Sequence, residues 1–83
     1  MPLPVKIYTL STCSHCNALK KWLSDCEVKF EFIDVDSLPE WEKYTMLEEI
    51  IKINPACSFP TIIIGDNIIV GFRENDIREA LGL

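Results

Sequence analysis

Hydrophobic residues in the first half of the chain follow the spacing of a strand, then a helix, then a strand again. Residues 5–10 are mostly apolar, which is typical of a strand covered on both faces. Residues 14–25 carry apolar side chains at helical spacing and predict a first helix. Residues 28–35 begin with apolar and charged residues in alternation, which predicts a second strand with one partly wet side. The apolar positions of the first helix are Ala18, Leu19, Trp22 and Leu23, and its expected wet side holds Lys20 and Lys21.

A longer amphipathic segment follows the second strand. Residues 39–53 predict a second helix, since proline is tolerated in a first helical turn. The helix should end at Asn54-Pro55, because proline disfavours helical geometry in the residue before it. One apolar face is expected to be a packing surface, with a ligand groove as the alternative. The residues of this face are Tyr44, Leu47 and Ile51, flanked by Trp41 and Ile50.

Two short apolar runs near the end of the chain predict a β-hairpin. They are residues 62–64 and 68–70, and Gly65-Asp66-Asn67 between them is typical of a turn. Asn75 suits the N-cap of a third helix, and Gly82 suits its end. The pattern therefore predicts an α/β chain in the order β-α-β-α-β-β-α, with residues 1–83 forming a single domain.

The composition indicates a folded chain that binds neither nucleic acid nor membranes. Hydrophobic residues make up 48% of the 83 residues, which excludes a disordered polar chain. Thirteen acidic residues against eight basic ones give a net charge of −5, which repels phosphate backbones and anionic lipid. Met1-Pro2-Leu3-Pro4 leads straight into the first strand without a charged or long apolar leader, so the expected location is the cytoplasm.

Cys13 and Cys16 lie three positions apart, between the first predicted strand and the first predicted helix. The first N–H groups of a helix lack intrahelical acceptors and carry partial positive charge, so a thiol there ionises more easily. Cys13 is therefore expected to be the exposed attacking thiol, and Cys16, about one turn further on, the resolving thiol. His15 is expected to stabilise the Cys13 thiolate and make the couple more oxidising, or else to be an exposed residue without effect.

A metal site and inert structural thiols are the alternatives to a redox-active pair. Tetrahedral zinc needs four ligands, but Cys26 and Cys57 are isolated in sequence and His15 is the only histidine. No metal site is therefore expected. Cys26 is expected to be a small buried residue or else a regulatory thiol, and Cys57 a buried loop residue or else an accessory thiol.

Four features in this order resemble the glutaredoxin family of small thioredoxin-fold redoxins. They are the first strand, the Cys-x-x-Cys pair at a helix start, Phe59-Pro60-Thr61 before a hairpin, and a glycine-containing turn into the last helix. The resemblance implies a four-stranded mixed sheet flanked by helices on both faces, with the first two strands parallel and the terminal hairpin antiparallel. It also implies a thiol-disulfide oxidoreductase that reduces protein or mixed disulfides, with a cis Pro60 that leaves the Phe59 backbone free to pair with a substrate.

Departures from the glutathione-using members bear on the electron donor. Those proteins have a Lys or Arg before the active-site turn, a Tyr inside the cysteine pair and a Gly-Gly at the last helix. This chain has Leu10, His15 and Gly71-Phe72-Arg73 at these places. Gly-Phe-Arg resembles the redoxins that serve ribonucleotide reductase and are recharged by thioredoxin reductase, although those continue with Pro-Asp where this chain has Glu74-Asn75. The expected donor is a thioredoxin-reductase-type system or glutathione, with weak or absent glutathione dependence and no tightly bound cofactor.

The residues expected to contact the substrate surround the cysteine pair, the proline and the glycine turn. They are Thr12, Ser14, His15, Phe59, Pro60, Gly71, Phe72 and Arg73. The alternative interpretation of Arg73 is an ordinary solvated side chain without a role in substrate binding. The expected partners are protein disulfides and a reductase or glutathione, and the chain is expected to be a monomer. The other functions left open are a glutathione-dependent deglutathionylating protein, an iron–sulfur-binding module and a non-catalytic domain on the same fold.

Overall fold

The computed structural model describes residues 3–83. Met1 and Pro2, on which part of the expectation about a leader segment rests, lie outside the described residues. The elements are β1 (Val5–Thr9), α1 (Ser14–Asp25), β2 (Glu31–Asp34), α2 (Glu40–Ile53), β3 (Thr61–Ile64), β4 (Asn67–Val70) and α3 (Glu74–Leu81), with a 3₁₀ turn at Val35–Ser37. Their order is the predicted one. Within residues 3–83, no helix is both long enough and apolar enough to cross a membrane.

The four strands form one mixed sheet in the order β2-β1-β3-β4. β1 and β2 are parallel, whereas β3 is antiparallel to both β1 and β4. The turn between β3 and β4 contains Gly65, whose φ of 59° lies in the left-handed region that favours glycine. The mixed sheet and the terminal hairpin are therefore confirmed.

Helices cover both faces of the sheet, because successive strand residues point to opposite sides. Ile7 of β1 packs in a cluster with Leu19 of α1 and Ile77 of α3. Tyr8, its neighbour on β1, packs on the other side in a cluster with Ile50 of α2. The sheet is thus sandwiched between α1 and α3 on one face and α2 on the other, as the resemblance implied.

The predicted packing face of α2 is confirmed at Leu47 and Ile50 and wrong at its other three members. Ile50 is the fully buried residue of this helix, and Met46, Leu47 and Ile53 pack beside it. The predicted residues that are instead exposed are Trp41 (70%), Tyr44 (61%) and Ile51. The apolar side chains of α2 are spread over much of its circumference, so periodicity alone does not single out the face that contacts the sheet.

The surface of α1 and the start of β2 also differ from the prediction. Ala18 is exposed, and Lys20 is half-buried because its ammonium group forms an ion pair with Asp34. β2 begins at Glu31 rather than at residue 28. The N–H of Val28 donates to the carbonyl of Leu23 at 2.9 Å, so residue 28 still belongs to the turn that closes α1.

The start of α3 is a further correction. Asn75 is not its N-cap, since the helix begins at Glu74 and Arg73 occupies the cap position without a side-chain cap hydrogen bond. The first helical hydrogen bond runs from the N–H of Ile77 to the carbonyl of Arg73 at 3.0 Å. The end of α3 is confirmed, because Gly82 has a left-handed φ of 75° there.

Candidate active site

Cys13 occupies the N-cap position of α1. Its backbone is extended, with φ −85° and ψ 117°, and its sulfur accepts a hydrogen bond from the N–H of Cys16 at 3.4 Å. The sulfur therefore takes the place of the side-chain oxygen that usually satisfies a helix start. Cys13 is half-buried, whereas Cys16 is fully buried. The two thiols adjoin each other at the amino end of the helix, and Cys13 is the more accessible of them.

The two thiols differ in acidity. A hydrogen bond from the Cys16 thiol, together with the N–H groups of Cys16 and His15, lowers the pKa of Cys13 by more than partial burial raises it. Burial, and then the hydrogen bond with Cys13, raises the pKa of Cys16 to about 11. Cys13 is therefore the better nucleophile near neutral pH, and Cys16 stays protonated.

Alkylation by iodoacetamide is expected to modify Cys13 first. The thiolate is the reactive form, so the lowered pKa of Cys13 should move the midpoint of its alkylation-rate profile to a lower pH than that of an unperturbed cysteine peptide. The measurement is the rate of adduct formation between pH 5 and 10, with the site identified by peptide mass spectrometry. First modification at Cys16, or a midpoint above the ordinary value, would contradict the assignment.

A hydrogen-bonded link holds the turn that carries Cys13. The N–H of Ser11 donates to Oδ1 of Asp36 at 2.8 Å, and the Ser11 hydroxyl donates to Oδ2. These hydrogen bonds lower the pKa of Asp36, so the carboxylate stays charged and keeps both contacts. The turn is closed by the Cys13 N–H, which donates to the carbonyl of Leu10 at 3.1 Å. These contacts hold the turn between β1 and α1, at the end of which Cys13 lies.

Strand register brings the Phe59–Pro60 bond to the same end of the sheet. Thr61 lies opposite Tyr8 on β1 and opposite Val70 on β4. Pro60 therefore lies beside the end of β1 that leads into the cysteine pair, and its peptide bond is cis. The N–H of Gly71 donates to the Pro60 carbonyl at 2.8 Å, which joins the proline loop to the glycine turn.

Phe59, Phe72 and Arg73 flank this junction. Phe59 is half-buried, and its main chain makes no hydrogen bond to another residue within 3–83. The Phe72 ring lies 5.9 Å from that of Trp22, so Trp22 packs against the site from α1. Arg73 is exposed, and its Nε donates to the Val70 carbonyl at 3.3 Å.

Thr12, Ser14 and His15 are exposed around the cysteine turn. The influence of His15 on the lowered pKa of Cys13 comes from its main-chain N–H. Substrate contact by these three residues, and by those at the proline and glycine turns, stays a prediction.

The two remaining cysteines lie in different places. Cys26 is half-buried at the far end of α1, where its N–H donates to the Trp22 carbonyl at 3.0 Å. Cys57 is half-buried on the loop before Pro60 and has a left-handed φ of 49°. Their roles stay predictions. In the described part of the chain, no three His, Cys, Asp or Glu residues are grouped so that they could hold a metal ion.

Two polar contacts near the site were not predicted. The buried Asn54 amide donates to the Ser58 carbonyl at 3.2 Å and to Thr61 Oγ1 at 3.0 Å, so it holds the loop before Pro60. The Lys20–Asp34 ion pair lies one helical turn beyond Cys16. For the ion pair, the signal in the sequence was the spacing of Lys20, which lies four residues after Cys16 and therefore on the same face of the helix.

A mixed sheet of this order, with a dithiol at the start of the first helix and a cis proline at the same end, defines a thioredoxin-like fold with a candidate redox site. The glutaredoxin family model matches residues 5–69. The glutaredoxin-like protein NrdH of Lactococcus lactis subsp. lactis is 32% identical over 75 residues, which cover 90% of this chain and 96% of that protein. The chain belongs to the glutaredoxin family.

Solved structures agree with this assignment. Methanoredoxin of Methanosarcina acetivorans superimposes with a TM-score of 0.93 at 46% identity, over 99% of this chain and 87% of that one. A glutaredoxin from Methanosarcina mazei Go1 gives a TM-score of 0.87 at 44% identity, over 100% of this chain and 84% of that one. The implied fold is confirmed, and the chain is a redox protein of the glutaredoxin type.

Proposed function

We propose that the chain is a thiol-disulfide oxidoreductase that reduces protein or mixed disulfides through Cys13 and Cys16. The observation that carries this proposal is the N-cap position of Cys13, whose sulfur accepts the Cys16 N–H at 3.4 Å. The more accessible thiol is also the one with the lowered pKa, and the buried thiol behind it stays protonated. This difference makes Cys13 the thiol that attacks first and leaves Cys16 to act second, once it has lost its proton.

The proposed reaction balances within the dithiol and its substrate. The Cys13 thiolate attacks one sulfur of the substrate disulfide, and the other substrate sulfur leaves as a thiolate that takes up a proton. Cys16 then loses its proton and attacks the Cys13 sulfur, which forms the Cys13–Cys16 disulfide and releases the second substrate sulfur. Two electrons pass to the substrate, so an outside donor must reduce the pair again.

The proposed substrate surface surrounds Cys13 and includes the proline and glycine turns. The main chain of Phe59, which makes no hydrogen bond within residues 3–83, can exchange hydrogen bonds with an extended substrate segment. The half-buried rings of Phe59 and Phe72 offer apolar contact beside it. The full proposed set is Thr12, Ser14, His15, Phe59, Pro60, Gly71, Phe72 and Arg73, with Cys57 as a possible accessory thiol.

The proposed electron donor is a reductase of the thioredoxin-reductase type rather than glutathione, and no tightly bound cofactor takes part. The apolar, half-buried side chain of Leu10 occupies the position at which glutathione-using glutaredoxins have a Lys or Arg. Gly71-Phe72-Arg73 stands in place of their glycine pair. We propose that the protein works as a monomer in the cytoplasm.

Two coupled assays test the donor. The rate of disulfide reduction is measured through the oxidation of NADPH. The electron donor is either thioredoxin reductase or glutathione plus glutathione reductase. The expected result is clearly faster turnover with thioredoxin reductase. A clear preference for the glutathione couple would contradict the donor and favour the deglutathionylating alternative. Turnover of insulin or a mixed disulfide no faster than with Cys13→Ser would contradict the oxidoreductase itself and favour a non-catalytic domain.

A further inference from the structure

Lys20 is held in an unusual position for a lysine on a helix surface. It lies four residues after Cys16 on α1, so the two side chains share one face of the helix. Its Nζ lies 2.9 Å from Oδ1 of Asp34, and the two side chains are only 20% and 21% exposed. The ammonium group also lies 4.1 Å from the centre of the Phe32 ring. Carboxylate and ring together fix the charge near the cysteine pair.

The partner of Lys20 is itself anchored. Asp34 accepts a hydrogen bond from the hydroxyl of Thr9, which is fully buried at the end of β1. Partial burial alone raises the pKa of Asp34, but the hydrogen bonds from Thr9 and Lys20 and the lysine charge outweigh it, so the pKa lies below its usual value. Asp34 therefore stays ionised near neutral pH and orients Lys20 rather than accepting a proton.

An exposed pair on the same helix shows what an ordinary surface contact looks like. Lys21 Nζ lies 3.7 Å from Asp25 Oδ2, and these side chains are 80% and 67% exposed. Such a pair is screened by water and contributes little. The Lys20–Asp34 pair is shorter, shielded, and connected to β1, β2 and α1 directly beyond Cys16.

Cys16 is the group that gains from a fixed positive charge. It is fully buried, and burial is the largest cause of its raised pKa, while the charge of Lys20 acts in the opposite direction. Two charged groups affect the pKa of Cys16: the Cys13 thiolate raises it and the Lys20 ammonium group lowers it. Asp34 forms an ion pair with Lys20. Resolution requires the Cys16 thiolate, and the Cys16 pKa of about 11 lies well above neutral pH. A nearby positive charge that lowers this pKa therefore increases the thiolate fraction by more than it reduces the nucleophilicity of the sulfur, and the second step becomes faster.

We propose that Lys20, oriented by Asp34 and Thr9, is a positioning residue that promotes the attack of Cys16 on the mixed disulfide at Cys13. This inference rests on the proposed oxidoreductase function. In this step Cys16 gives its proton to solvent, its sulfur bonds to the Cys13 sulfur, and the departing substrate thiolate takes up a proton. Lys20 stabilises the transient Cys16 anion and exchanges no proton itself.

Stopped-flow reaction with Ellman's reagent separates the two steps. In a Cys26→Ser/Cys57→Ser background, attack by Cys13 releases one coloured thiolate, and resolution by Cys16 releases a second. Lys20→Met is expected to slow the second release by roughly three- to tenfold at each pH between 6 and 9 and to leave the first unchanged. Lys20→Arg, which keeps the charge, should retain most of the rate of the second release.

Two further variants exclude simpler explanations. Lys21→Met, the exposed neighbour, should change neither release. Lys20→Met/Asp34→Asn removes both charges, so its second release should stay slow if the missing cation is the cause. Recovery of the wild-type rate in that variant would assign the effect to an unpaired Asp34 carboxylate and overturn the proposal. An unchanged second release in Lys20→Met, or equal slowing of both releases, would also overturn it. Absence of any second release in the background protein would instead overturn the proposed function.

Discussion

Cys13→Ser is expected to lower the rate of protein-disulfide reduction by roughly a thousandfold or more, since removal of an attacking group abolishes covalent exchange. Serine keeps the size of the side chain and an atom able to accept the Cys16 N–H, and Cys13 is only half-buried, so the fold should persist. The measurement is insulin reduction with a reductase, alongside circular dichroism.

Cys26→Ser is the matched control for that substitution. Cys26 is half-buried like Cys13, and it is the C-cap of α1, so it lies at the other end of the helix from the candidate site. Its activity should stay within about twofold of wild type, because serine there changes little in packing. Comparable activity in Cys13→Ser and the unsubstituted protein would remove Cys13 from the reaction.

Leu19→Ala is expected to destabilise the protein by about 2–5 kcal/mol, which is the range for deleting a buried leucine side chain. Leu19 is fully buried in the cluster that joins α1 and α3 to the sheet, and it lies one turn beyond the buried thiol. Small domains have a total stability of only about 5–15 kcal/mol, so the loss is a large share of it. Urea unfolding at neutral pH measures the change.

Leu83→Ala provides the control for this stability measurement. Leu83 is 60% exposed at the end of the described chain. Its substitution should change the free energy of unfolding by less than about 0.5 kcal/mol. A loss below about 1 kcal/mol in Leu19→Ala would contradict the view that this cluster holds α1, and with it the cysteine pair, against the sheet.

The order of elements could be predicted from sequence because each has a strong local signal. The apolar run of β1, the helical spacing of α1 and the glycine turn of the hairpin all depend on neighbouring residues. The packing face of α2 could be predicted in this way only in part. Trp41, Tyr44 and Ile51 have large hydrophobic side chains, as the residues around Ile50 do, and only the arrangement of α2 on the sheet decides which of them are buried.

The same distinction applies to the candidate site. The spacing of Cys13 and Cys16 at a strand-to-helix junction predicts the thiol pair directly. The Lys20–Asp34 pair joins residues 14 positions apart, and it forms only because β2 lies parallel to β1 beside α1. Asn54 likewise marks a helix end in sequence, and its hold on the loop before Pro60 appears only in the folded chain.

The most direct measurement is to trap the intermediate with Cys16→Ser. During reduction of a disulfide substrate, this variant should accumulate a mixed disulfide, because the residue that resolves it is missing. Peptide mass spectrometry then identifies the cysteine that carries the substrate. The structure predicts attachment at Cys13, the half-buried thiol that caps α1. Attachment at Cys26 or Cys57, or no trapped adduct while the wild-type protein turns over, would contradict the assignment of Cys13 as the attacking thiol.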